Sequence, residues 1–211
     1  MKNNIKNILV LAPHTDDGEL GCGGSIARFI EEGKNVFYAA FSTAEESVDP
    51  KLPKNILEIE VKAATKKLGI KRENLFIYRN EVRKLNYIRQ EILEELIKLK
   101  KKVDPDIIFM PSINDIHQDH STVAKEGLRA FKDRTILGYE LIWNNITFNT
   151  SAFIILQHNH VQSKVDALQE YRSQKDKAYM SQDFVFSLAK SRGVQIGKEY
   201  AECFEVIRWV M

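Results

Sequence analysis

The sequence predicts an α/β protein: a Rossmann-like, doubly wound, open and mostly parallel sheet with helices on both faces. Three observations predict it. Short apolar runs recur between amphipathic stretches of helical period, the connections are brief, and several runs are apolar without alternation, as strands covered on both sides are. Parallel pairing with right-handed crossovers follows from that strand-helix rhythm.

Residues 6–12 (KNILVLA) are the first such run, closed by Pro13. Residues 19–33 then set Leu20, Ile26, Ala27, Phe29 and Ile30 at helical spacing and stop at Gly33. A second strand is expected over 35–42, a helix over 54–68 ended by Gly69, and a third, short strand over 74–78. Residues 81–102 read as one long charged helix, stopped by Asp104 and Pro105 before a buried strand over 106–110. A helix over 121–131 and a strand over 134–140 complete the regular part. The pattern then loosens, with an edge strand expected over 151–156, helices over 161–171 and 177–190, and a closing strand over 201–210. Neither repeat nor linker interrupts the 211 residues, so one domain, 1–211, is expected.

Thirty-one Lys and Arg against twenty-nine Asp and Glu leave a formal charge of +2, which offers no electrostatic footprint for nucleic acid. Two cysteines, Cys22 and Cys203, cannot build a disulfide framework. The apolar run after Lys6 is too short for a signal-peptide core, and no stretch is long enough for a membrane span. The expectation is a cytoplasmic protein with no nucleic-acid partner and no integral membrane segment; homo-oligomer formation stays open.

Open α/β sheets bind ligands at the carboxyl ends of their strands. The first strand runs into Pro13-His14-Thr15-Asp16-Asp17-Gly18-Glu19, and the fourth into the segment from Pro111 through Asp115 and His117-Gln118-Asp119-His120. Three of the five histidines therefore sit at two strand ends. His14 and Asp17, three apart at the start of a helical turn, share a side, and Asp16 points elsewhere. A metal ion could take a nitrogen and an oxygen from the first loop and an imidazole from the second, leaving a position for water. Asp16, adjacent but unligated, would be the general base for that water. His117 and His120 are also three apart, so spacing leaves open which of them binds; the other would donate to a developing oxyanion.

Plainer readings exist for each cluster alone. Asp16 or Asp17 could be a helix N-cap, and a single histidine beside a strand is usually a surface residue. Two clusters at corresponding strand ends outweigh them. Gly18, Gly21, Gly23 and Gly24 lack the G-x-G-x-x-G order and read as close packing of helix on sheet. Cys22 reads as a small core residue, and His158 and His160 as surface or rim residues.

The combination resembles the PIG-L, or LmbE-like, family of metal-dependent N-acetyl sugar deacetylases. The likeness rests on PHTDDGE followed by LGCGG and on His117-Gln118-Asp119-His120, and it continues through Glu60, Ala64, Asp104-Pro105-Asp106, residues 164–174 and Ala201-Glu202-Cys203-Phe204. Residues 138–144 are similar to a subgroup linked to bacterial surface polysaccharides. The resemblance implies His14, Asp17 and His120 as ligands of Zn2+ or another divalent metal such as Fe2+. It also implies Asp16 as general base, His117 as oxyanion stabiliser and Asp119 as the partner orienting His117. The implied activity is hydrolysis of the N-acetyl group of a small-molecule amino sugar or sugar conjugate by metal-water attack.

Three departures from the family pattern stand out. Thr15 replaces a proline, Gly18 precedes Glu19, and Leu57 stands where an arginine usually contacts substrate, with Arg79, Arg83 and Arg89 as candidates to replace it. Two other readings are a mononuclear iron oxygenase using His117, Asp119 and His158 or His160, and a non-catalytic sugar- or nucleotide-binding domain using the glycine turn.

Overall fold

The structure, a computed structural model, describes residues 5–210. Its centre is β1 (Asn7–Ala12), an apolar strand whose odd and even residues enter two different cores. Ile8, Val10 and Ala12 join one buried cluster, and Leu9 and Leu11 the other. That double burial is why the run is apolar from Ile8 to Ala12. Parallel neighbours flank it: β2 (Asn35–Ala40) on one side and β4 (Ile107–Pro111) on the other.

Outward lie β3 (Leu75–Ile77) beside β2, and β5 (Thr135–Tyr139) beside β4, both parallel. Two antiparallel strands finish the edge, β6 (Ala152–Leu156) and β7 (Tyr200–Arg208), in the order β3-β2-β1-β4-β5-β7-β6. The chain leaves β1 toward β2 and returns to β4 on β1's other side, so the order reverses between β1 and β4. Such a switch point opens a crevice above the strand ends.

Helices cover both faces, as the sequence predicts. On one lie α1 (Asp17–Glu31), α2 (Ile56–Lys67), α5 (His158–Leu168) and α6 (Gln182–Val194). On the other lie α3 (Arg89–Val103) and α4 (Gln118–Ala130), whose Leu96, Leu99, Val123 and Ala124 pack beneath Leu9 and Leu11. No helix among the described residues is long and apolar enough to cross a membrane.

Four helices begin three or more residues from where their periodicity predicts, α4 among them, at Gln118 instead of Ser121. Residues 81–102 do not form one helix; α3 starts at Arg89 after a 3-10 turn, Leu85–Ile88. The backbone N–H groups of Arg83 and Leu85 donate to the Asp119 carboxylate at 2.6 and 3.2 Å, drawing this stretch off the helical path. The helix expected over 177–190 starts at Gln182, where the Ser181 hydroxyl accepts from the Phe184 N–H. Helix α5 occupies 158–168 instead of 161–171, with His160 accepting the Gln157 N–H in its first turn.

Helix α1 carries the motif and is itself broken at Cys22 (φ −146°, ψ 24°). The N–H groups freed beyond the break at Gly24 and Ser25 donate to the Glu202 carboxylate from β7, at 3.0 and 2.7 Å, so a strand side chain caps the helix's second half. Lys164 of α5 completes the junction, donating to Glu202 and to the Leu20 carbonyl at 2.8 and 2.7 Å.

Candidate metal centre

The two loops predicted to carry chemistry meet at the switch point. The residues after β1 are fixed from below: the Thr15 carbonyl accepts from the hydroxyls of Tyr38 and Tyr171 at 2.9 and 2.6 Å. The Tyr38 hydroxyl lies over Gly18, whose N–H donates to it, and a Cβ there would come within 2.4 Å of the ring. Glycine at 18 is thus the space that Tyr38 fills. At Gly21 a Cβ would meet Tyr139 at 2.3 Å. The glycines bring α1 onto the sheet and present no cradle for phosphate, which removes the support for the glycine-turn binding reading.

Three donor atoms converge above this floor. His14 Nδ1 lies 3.1 Å from Asp17 Oδ2, His120 Nε2 lies 3.2 Å from the same oxygen, and the two nitrogens are 3.2 Å apart. An ion bound tetrahedrally at about 2.0–2.1 Å has ligand atoms roughly 3.3 Å from one another, so the triangle has the dimensions of a metal site. The donor chemistry fits as well, two imidazoles and a carboxylate. His117 brings a third imidazole, all within 4.8 Å.

What lies behind each imidazole separates them. His14 Nε2 is 3.1 Å from Asp119 Oδ2, and His120 Nδ1 is 2.8 Å from Asp115 Oδ2. Each carboxylate accepts from one ring nitrogen and turns the other toward the triangle, the arrangement that orients metal-binding histidines. His117 has no such support: its Nδ1 accepts the Asp119 backbone N–H at 3.2 Å, which leaves its proton on Nε2.

Asp119 therefore departs from the expected role. Its carboxylate orients His14, not His117, because it is buried beneath His14 and takes the N–H groups of Arg83 and Leu85 as well. Asp115 was not singled out by the sequence, although it lies in the quoted loop. It also accepts the His117 N–H at 2.8 Å, so it shapes the turn and aims His120.

The charges of the centre act strongly on one another. Burial alone would lower the pKa of His14, yet Asp17 and Asp119 outweigh it and raise it to about 9. His120 is likewise carried to about 10 by Asp17 and Asp115. The same two histidines hold Asp17 well below the carboxylate range against the effect of its burial. Burial and the neighbouring Asp17 charge push Asp16 the other way, upward, with Lys177 opposing. His117 is pushed down by burial and by the other two histidines, which keeps it neutral.

A cleft of about 270 Å³ opens onto the centre. Its wall includes Asp16, His117, Leu57 and Trp143, whose indole stacks on Tyr179 at 4.0 Å between ring centroids. Of the candidate arginines, Arg79 pairs with Glu58 and Arg89 with Glu126, while Arg83 lines the cleft. His158 and His160 take no part. His158 packs on Phe186, and His160 binds Glu31 at 2.6 Å, so the oxygenase triad is not assembled among the described residues.

Fold and site together define an α/β protein with a candidate metal centre at the sheet's switch point, open to a cleft on one side. The chain belongs to the PIG-L family, whose model, described as GlcNAc-PI de-N-acetylase, matches residues 9–131. It is 28% identical over 176 residues to the uncharacterized deacetylase YaiS of Escherichia coli, covering 81% of this chain and 93% of that protein. It is 28% identical over 137 residues to the diacetylchitobiose deacetylase of Thermococcus kodakarensis, covering 61% of this chain and 50% of that one. Among solved structures, the conserved protein TT1542 of Thermus thermophilus superposes with a TM-score of 0.82 at 24% identity, over 97% of this chain and 95% of that one. At that identity the superposition speaks for the fold alone.

Proposed function

We propose that the protein is a zinc-dependent hydrolase that removes the N-acetyl group from an amino sugar or sugar conjugate, with His14, Asp17 and His120 holding the metal. The observation that carries this reading is the triangle of donor atoms, two of them on imidazoles backed by carboxylates. Membership of a de-N-acetylase family supports the reaction, and the sugar named by the family model supports the substrate class.

When bound, zinc would supply a Lewis acid and lower the pKa of water toward ~7. The rest is done by the chain. Asp16 lines the cleft without joining the donor triangle, and its raised pKa suits a carboxylate that takes a proton from the attacking water and hands it to the departing amine. His117, neutral and with its proton on Nε2, donates to the oxygen that becomes negative as the acetyl carbon turns tetrahedral. Trp143 gives the cleft a flat aromatic face against which a sugar ring can lie.

Acetate release from methyl N-acetylglucosaminide tests the reading. Protein stripped with a chelator should be inactive and regain activity with zinc. Equal activity before and after stripping, or no acetate from any N-acetylated sugar with metal-loaded protein, would overturn it.

A further inference from the structure

One wall of the cleft has almost no regular structure. Residues 171–180 form two single 3-10 turns, Arg172–Gln174 and Ala178–Met180, and from this stretch Gln174, Lys177 and Tyr179 line the cleft. Its ends, Tyr171 and Met180, are buried. Between them, residues 172–179 are joined to chain outside 170–181 by two hydrogen bonds among the described residues, and both reach one side chain. The Ser173 N–H and hydroxyl donate to the two carboxylate oxygens of Glu60, at 2.9 and 2.6 Å. The other hydrogen bonds of the segment are local, such as Gln174 Nε2 to the Ser173 hydroxyl at 3.1 Å.

Glu60 lies on α2, is buried, and forms no ion pair among the described residues. A carboxylate taken out of water persists only where hydrogen bonds replace its hydration, and here Ser173 supplies them to both oxygens. A glutamine has one oxygen to offer and could not accept both. Leu57, one turn earlier on the same side of α2, lines the cleft itself. The helix thus contributes one part of the cleft and holds another. The metal loop is anchored separately, because the Tyr171 hydroxyl that donates to the Thr15 carbonyl lies before Ser173 in the chain.

We infer that Glu60 is a positioning residue for substrate binding: acting through Ser173, it holds Gln174, Lys177 and Tyr179, with Trp143 stacked on Tyr179, in the wall that meets the sugar. The inference deepens the deacetylase reading and rests on it. Without Glu60 the wall would lose its only hydrogen-bonded tie to a neighbouring element, while the donor triangle would keep its own supports.

Two independent readouts test this. With zinc-loaded protein and methyl N-acetylglucosaminide, Glu60→Ala should raise KM about fivefold or more with kcat within about twofold of wild type. Ser173→Ala should do the same in smaller measure, and Ser173→Thr, which keeps the hydroxyl, should behave as wild type. Zinc affinity, read by competition with a chromogenic chelator, should not change. The second readout needs no substrate. The chain has two tryptophans, so Trp209→Phe leaves Trp143 as the sole reporter of its stack on Tyr179. In that background Glu60→Ala should raise acrylamide quenching of Trp143 most of the way to the value set by Tyr179→Ala. An unchanged KM, a zinc affinity that falls as far as KM rises, or quenching that stays at the wild-type level overturns the inference. If Glu60→Ala does not fold, Ser173→Ala decides by the same measurements. If wild-type protein releases no acetate, the deacetylase reading fails by itself, and the quenching of Trp143 decides whether Glu60 holds the wall.

Discussion

Helix α1 touches two buried charge clusters, one at each side of its break at Cys22. At its start, Asp17 faces the rings of His14 and His120, and the donor atoms converge on a point that opens into about 270 Å³ of cleft. Beyond the break, Glu202 takes the N–H groups of Gly24 and Ser25, the Ser25 hydroxyl and the Lys164 ammonium, next to a void of only about 30 Å³. Both clusters hold ionised groups away from water. In the second every polar atom is answered within the chain; in the first, two imidazole nitrogens and a carboxylate oxygen crowd within 3.2 Å of one another and share positive charge between them. A buried charge thus marks a functional site when its hydrogen bonds are incomplete, and a structural joint when they close.

Four substitutions would break or sharpen that contrast. The largest effect is expected from Asp16→Asn, which should retain bound zinc and lose on the order of 10²–10⁴-fold in turnover. Near-normal acetate release would take Asp16 out of its role. Next, Lys164→Met leaves Glu202 buried without its cation and should cost about 3–5 kcal/mol in denaturant unfolding. A loss under about 1 kcal/mol would show that the joint relaxes around the missing charge. His117→Ala should cut turnover by about 10²–10³-fold with the metal still bound, and an emptied metal site would instead exchange the roles of His117 and His120. The smallest effect belongs to Asp115→Asn, which weakens the orientation of His120 and should reduce zinc affinity by about 10–100-fold, read by competition with a chromogenic chelator. An unchanged affinity would leave Asp115 a turn-former only.

The strands were legible because β1 and β4 are buried on both faces and need apolar residues throughout, a demand that survives any tertiary context. The starts of α3 and α6 were not, because they depend on contacts from elsewhere in the chain. Residues 81–88 satisfy helical periodicity, but the Asp119 carboxylate takes the N–H groups of Arg83 and Leu85 first. The ionisable residues at the two strand ends were legible as a set, and spacing singled out His14 and Asp17. Which carboxylate stands behind which imidazole was not, since His14 and Asp119 are 105 positions apart and meet only through the β1–β4 pairing. Asp115 illustrates the same limit at short range: five residues before His120, its effect depends on which way a turn points its side chain.

The adjacency of β1 and β4 also sets a schedule. His14 and His120 lie 106 positions apart in the chain although their nitrogens end 3.2 Å from one another. At a synthesis rate of about 5–20 residues per second, the first loop waits roughly 5–20 s before its partner leaves the ribosome. During that interval β1, apolar on both faces, has β2 beside it but lacks β4 and the helices that cover its second side. The nascent chain therefore has a window in which it holds two of the three proposed metal donors beside an uncovered central strand, and ion binding at the proposed centre would wait for the second loop.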